Sequence, residues 1–136
     1  MDIRPLSDAH AVSPQIDPSD AQAIRDAGYA VVVCNRPDAE VPPELSAEAV
    51  GAAVRAAGMR FEVLPATRDT LGSVVGPQAT ILAEAEGPVL AYCASGTRSA
   101  MIWALGQVGQ RPADEILEAA ARAGYDLEAM RPALEG

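Results

Sequence analysis

The sequence predicts a single α/β domain, a mainly parallel central sheet flanked by helices, and three observations carry that expectation. Apolar runs of strand length, Tyr29 to Cys34, Phe61 to Leu64 and Val89 to Tyr92, alternate with helical stretches of about ten residues. The first run, Tyr-Ala-Val-Val-Val-Cys, has no polar interruption, as a strand covered on both faces requires. Gly28, Gly58 and Gly87-Pro88 punctuate the alternation.

In chain order, Ile3 to Leu6 and Ala11 to Ser13 read as a short hairpin around Ser7-Asp8. Asp17-Pro18 supplies a cap and a first-turn proline for a helix reaching Ala27, stopped by Gly28. Asn35-Arg36-Pro37-Asp38 ends the first apolar strand, and a proline-rich loop covers Ala39 to Leu45. Ser46 caps a helix to Ala57. Pro77 is read as opening a helix to Ala85, and another helix follows the third strand from Ser99 to Leu105. After a turn at Gly109 to Pro112 come helices over Ala113 to Ala123 and Leu127 to Met130. Met101, Trp103 and Leu117 fall on core-facing positions, and Asp114 to Glu118 form a solvated face.

Composition narrows the function. The net charge is −9, with ten arginines and no lysine, which argues against a nucleic-acid or anionic-membrane surface. The first residues lack an apolar signal core and no run approaches the ~18 apolar residues of a membrane span, so a cytoplasmic location is expected. Two cysteines, Cys34 and Cys93, do not make a disulfide framework, and a lone histidine excludes a multi-histidine metal site. His10 reads as a surface residue. Neither a metal nor an organic cofactor is expected.

The chemistry concentrates in Cys93-Ala94-Ser95-Gly96-Thr97-Arg98-Ser99, which joins a buried strand to a helix N-terminus. Unpaired amides and the positive end of the helix dipole stabilise an anion there, whether the sulfur or a charged substrate. Gly96 lets the loop turn its amides inward, and Arg98 supplies a rigid donor fork. Ser99 and Thr97 offer hydroxyls to the thiolate or to the helix cap. Ligands in parallel sheets bind beyond the carboxyl ends of the strands, so Cys34-Asn35-Arg36 is expected to share a crevice with Cys93. Cys34 reads chiefly as a core residue; it becomes a resolving thiol for Cys93 only if their Cα atoms lie within ~7 Å.

Gln15, Val32 to Asp38 and Val89 to Ala100 together resemble the phosphatase-like domain of the beta-lactamase hydrolase-like proteins, over almost the whole chain. The resemblance implies a fold like that of small dual-specificity tyrosine phosphatases, with Cys93 as nucleophile, Ala94 to Thr97 as anion loop and Arg98 as anion-binding arginine. Asn35-Arg36-Pro37-Asp38 matches the family's strand-end motif. Some family members are fused to a metallo-beta-lactamase domain that oxidises persulfides, which makes such a dioxygenase an expected partner. Relatives carry both phosphatase and sulfurtransferase names.

Four residues separate Cys93 from Arg98, and Tyr92 precedes the cysteine. Tyrosine phosphatases have a loop one residue longer, with histidine before the cysteine, whereas single-domain rhodaneses share the shorter spacing. The smaller mouth favours sulfane-sulfur transfer through a Cys93 persulfide, from a thiol or persulfide substrate. The alternative is phosphomonoester hydrolysis through a Cys93 phosphoenzyme, with Asp69, in the loop after Phe61, or Asp38 as general acid. A third reading makes the domain a regulatory or docking module for a persulfide-oxidising enzyme.

Overall fold

The computed structural model describes residues 1–136. Two short strands, β1 (Arg4–Pro5) and β2 (His10–Ser13), form the expected hairpin, Arg4 opposite Val12. The remaining strands are β3 (Val31–Cys34), β4 (Arg60–Val63) and β5 (Val89–Tyr92). They assemble in the order β1-β2-β5-β3-β4, parallel throughout except for the hairpin. The last strand in sequence, β5, therefore lies between β2 and β3, and its carboxyl end opens between theirs.

Six α-helices surround the sheet: α1 (Ala21–Asp26), α2 (Ala47–Ala56), α3 (Leu71–Glu84), α4 (Thr97–Gly106), α5 (Ala113–Arg122) and α6 (Arg131–Leu134). Alternation along each strand sorts the core. Val31, Val33, Val89 and Ala91 point to one face, where Ile81, Ala100, Trp103 and Ile116 cover them. Val32, Cys34, Leu90 and Tyr92 point to the other and meet Ile24, Val50, Val54 and Phe61. Both faces are thus dry, which explains why the strands carry continuous apolar runs. No helix is long and apolar enough to cross a membrane.

Local signals set the helix starts. Asp17 accepts from the Ser19 N–H at 2.9 Å while the Asp20 carboxylate takes the Asp17 N–H, a reciprocal capping box ahead of α1. Ser46 Oγ accepts from the Ala49 N–H at 3.2 Å and caps α2. On α2, a Cβ at Gly51 would lie 2.7 Å from the Phe61 ring, so the absent side chain lets this helix approach β4.

The structure departs from the sequence expectation at three places. Helix α3 begins at Leu71 and not at Pro77, which sits inside it on the exposed side. An interior proline costs about 3 kcal/mol, but burying Leu71 and Val74 returns roughly 1.5–3 kcal/mol each, so the apolar stripe prevails. Near the C-terminus, a 3-10 turn at Glu128–Met130 runs into the short helix α6 beside Pro132. His10 is buried, not on the surface: it is 2% exposed, with Nδ1 3.0 Å from the Val89 carbonyl, because β2 is sandwiched by β1 and β5 and covered by helices.

Burial pushes the His10 imidazole down to about 4, against a favourable bond to the Val89 carbonyl. The unfolded chain takes up this proton near pH 6.5 and the folded one does not, so stability is intact above pH 6.5 and declines towards pH 4. The decline attributable to His10 is about 3 kcal/mol. Chemical denaturation followed from pH 7 to pH 5, before most carboxylates titrate, is expected to show about 2 kcal/mol of it, and His10→Gln is expected to flatten the profile.

Candidate active site

Strand β5 ends at Tyr92, and the chain turns through Cys93 to Gly96 before α4 begins at Thr97. Cys93 is 1% exposed and lies at the floor of this turn, while Ala94 and Ser95 face solvent. Gly96 adopts φ +94°, a left-handed conformation that glycine alone enters without strain, and its N–H donates to Cys93 Sγ at 3.2 Å. The carbonyl of the same peptide unit, Ser95 C=O, accepts the Tyr125 hydroxyl at 2.9 Å. Because the two groups of a trans peptide point in opposite directions, pulling the Ser95 carbonyl outward aims the Gly96 N–H at the sulfur. Any side chain at Gly96 would run into the Tyr125 hydroxyl. Arg4 braces Tyr125 in turn, its guanidinium 5.1 Å from the ring centroid and bonded to the Ala123 carbonyl.

The rest of the loop is tied down by its neighbours. The Ala94 carbonyl accepts the Gln15 N–H at 3.1 Å, fastening the loop to the segment after β2. Ser95 and Thr97 hydroxyls pair at 2.9 Å, and Ser95 Oγ also takes the Thr97 N–H. Ser99 Oγ is directed to Asn35 Oδ1 at 2.8 Å.

Arg98 is held from two sides. Nη1 and Nη2 grip the two oxygens of Glu40 at 2.8 and 2.7 Å, and Nη1 also donates to the Ala66 carbonyl at 2.9 Å. These bonds use three of the five guanidinium N–H groups and leave the Nε–H and one Nη2–H along a single edge. The pairing holds the Glu40 carboxyl below its usual range, chiefly through the Arg98 hydrogen bonds, and raises Arg98 further. The neighbouring Cys93 sulfur adds to the upward shift at Arg98.

The β3 end lies beside this loop. Cys34 stands opposite Tyr92 in the parallel register, and the Asn35 N–H donates to the Tyr92 carbonyl at 2.8 Å. Arg36 links Glu40, through Nε at 3.3 Å, to Gln15, through Nη1 at 3.2 Å. Cys34 Sγ donates to the Arg36 carbonyl at 3.3 Å, and burial pushes this thiol up. The Asp38 carboxylate accepts the Ala47 N–H at 2.8 Å at the start of α2. Asp69 is exposed in the Thr67–Thr70 turn, which follows Ala66 and is closed by the Thr67 N–H on Thr70 Oγ1. No group of three His, Cys, Asp or Glu side chains is placed to hold a metal ion.

Three contributors escape the sequence reading. Glu40 sits in the proline-rich loop, where its i,i+4 spacing from Arg36 is the one available signal. Tyr125 and the Ala66 carbonyl reach the site only through tertiary packing.

A buried cysteine at a central strand's carboxyl end, a loop amide on its sulfur and an arginine from the following helix define a cysteine-loop domain with a tyrosine-phosphatase-like α/β fold. The family model for the phosphatase-like domain of beta-lactamase hydrolase-like proteins matches residues 2–110, and the chain belongs to that family. A beta-lactamase hydrolase-like protein of Xylella fastidiosa is 33% identical over 131 residues, covering 93% of this chain and 30% of the relative. The chain thus spans under a third of the length of that curated relative. A candidate phosphatase of Neisseria meningitidis is 33% identical with a TM-score of 0.87, covering 99% of this chain and 97% of that one. The PTP-2 phosphatase of Cydia pomonella shares the fold at 16% identity and a TM-score of 0.70, with 99% and 89% covered. A cysteine-to-serine variant of Pseudomonas aeruginosa TpbA, solved in complex with phosphotyrosine, shares it at 20% identity and a TM-score of 0.64, with 97% and 80% covered.

Gly96→Ala is expected to destabilise the protein by at least about 1–2 kcal/mol from backbone strain alone, with the Tyr125 clash added, as urea denaturation will measure.

Proposed function

We propose that the domain hydrolyses phosphomonoesters through a phosphocysteine on Cys93. The observation that carries this reading is the unspent Nε–Nη2 edge of Arg98, held by Glu40 and Ala66 beside the loop that cradles Cys93. A phosphoryl group offers such an edge two equatorial oxygens at fork spacing, and loop amides at the helix N-terminus take the remaining charge. The family and the Neisseria candidate phosphatase support the same chemistry and favour it over sulfur transfer, which rests on loop length. The TpbA phosphotyrosine complex makes an aryl phosphate the first substrate to test. Burial of Cys93 at the loop floor suits a phosphate carried on a protruding ring.

In this scheme the Cys93 thiolate attacks phosphorus, an S–P bond forms and the bond to the leaving oxygen breaks. The leaving oxygen takes a proton from an acid. Water, giving one proton back to that now-deprotonated acid, then attacks phosphorus, the S–P bond breaks, and phosphate departs with Cys93 again a thiolate. The Gly96 N–H serves the sulfur both as nucleophile and as leaving group. We assign the acid to Asp69, whose turn follows the Ala66 carbonyl gripped by Arg98. Asp38, the alternative, already carries the Ala47 N–H at the start of α2.

The parent protein is expected to release phosphate from p-nitrophenyl phosphate, and Cys93→Ser to abolish that release. Arg98→Lys is expected to lower kcat/KM by about 10²–10³, because a point charge does not replace the fork. Asp69→Asn should cost about 10²-fold with alkyl leaving groups and far less with p-nitrophenolate, whereas Asp38→Asn, which keeps an oxygen for the Ala47 N–H, should leave both stability and kcat in place. No phosphate release from any aryl or alkyl ester, together with one added sulfur on Cys93 after thiosulfate treatment, would reject hydrolysis in favour of sulfur transfer.

A further inference from the structure

We propose that Asn35 is the positioning residue of this site: it sets the direction of the Arg98 fork by holding the Ser99 hydroxyl, next to Arg98, through its side chain and the Ala66 N–H, on the residue whose carbonyl Arg98 grips, through its main chain. The inference rests on the phosphatase reading above. Asn35 is fully buried at the end of β3, and all of its polar groups are engaged. Its N–H donates to the Tyr92 carbonyl at 2.8 Å and its carbonyl accepts the Ala66 N–H at 2.9 Å. Oδ1 accepts the Ser99 hydroxyl at 2.8 Å, while Nδ2 donates to the Leu64 carbonyl at 3.0 Å and to Gln78 Oε1 at 2.7 Å.

These contacts close into a ring. Arg98 Nη1 reaches the Ala66 carbonyl, Ala66 bonds Asn35, Asn35 bonds Ser99, and Ser99 returns through one peptide bond to Arg98. Through the same residue the ring is fastened to Tyr92, the last residue of β5 and the one before Cys93, and to α3 by way of Gln78. Only a side-chain amide joins an acceptor for Ser99 with donors for Leu64 and Gln78. A carboxylate keeps the acceptor and sets negative charge against two acceptor oxygens. Glu40 and Arg36 bear on the same site from partly exposed positions, where solvent screens them; Asn35 acts from inside, where an unmade hydrogen bond is costly.

The test compares the parent with Asn35→Ala and Asn35→Asp, measuring orthophosphate affinity, kcat and KM on p-nitrophenyl phosphate, and the NMR signal of the Arg98 Nε–H. In the folded fraction, each variant is expected to bind orthophosphate and to turn over about ten- to a hundredfold less well, because the fork is no longer aimed. The Arg98 signal should no longer move at the phosphate concentration that saturates the parent. A lower melting temperature with parent-like affinity and an unchanged Arg98 response would show a structural role only and overturn the proposal. Should both variants fail to fold, Ser99→Ala opens one link of the ring: several-fold weaker phosphate binding, restored by Ser99→Thr, supports the assignment, and parent-like binding overturns it. A parent that neither binds orthophosphate nor shows Cys93-dependent turnover fails the phosphatase reading itself, whereas binding that survives opening of the ring fails only the role of Asn35.

Discussion

The parallel placement of β5 between β2 and β3 is the constraint on which the site depends. A strand at a sheet edge would offer its following loop support from one side. Here the Cys93 loop receives it from both, through Gln15 after β2 and through Asn35 and Arg36 after β3. Helix α4 starts where the strand ends, so its unpaired amides and positive dipole end arrive at the sulfur without a long and floppy connection. The fold thus sets the electrostatics by geometry before any side chain is considered.

For a protein of net charge −9 to bind an anion, as proposed, its positive potential has to be confined to a small volume. Glu40 has a part in this. Its carboxylate cancels one of the two guanidinium charges beside the loop, yet it takes the end of Arg98 away from the remaining donor edge. What stays open in the crevice is a guanidinium edge with a defined direction, supplemented by backbone amides whose partial charges are fixed by the fold. Directed donors of this kind need no reorganisation when charge moves between sulfur and oxygen.

How much of this was legible in the sequence follows a physical division. The alternation of apolar runs and helices, the caps at Asp17 and Ser46, and the Cys93-to-Arg98 loop depend on residues close in sequence, and all were readable there. His10 and Pro77 were misplaced because local preference pointed one way and burial the other: a histidine is usually exposed, and a proline usually opens a helix. Glu40, Ala66 and Tyr125 reach the site from segments with no local mark of their own. Asn35 was visible as part of a strand-end motif, but its hub position depends on Ser99 and Gln78, distant in sequence and brought near by the sheet.

Loop length was the feature that pointed to sulfur transfer, and it discriminates weakly for a structural reason. A shorter loop removes one peptide unit from the rim, but the number of donors that reach an anion depends on how each remaining unit is turned. In this protein Tyr125 turns the Ser95–Gly96 unit so that its N–H faces Cys93, and Glu40 turns Arg98 so that a whole guanidinium edge stays open. Both orienting groups lie outside the loop. A tetrahedral oxyanion can therefore be matched by a short loop whose members are aimed from without, and the spacing between cysteine and arginine does not by itself separate phosphoryl from sulfur chemistry.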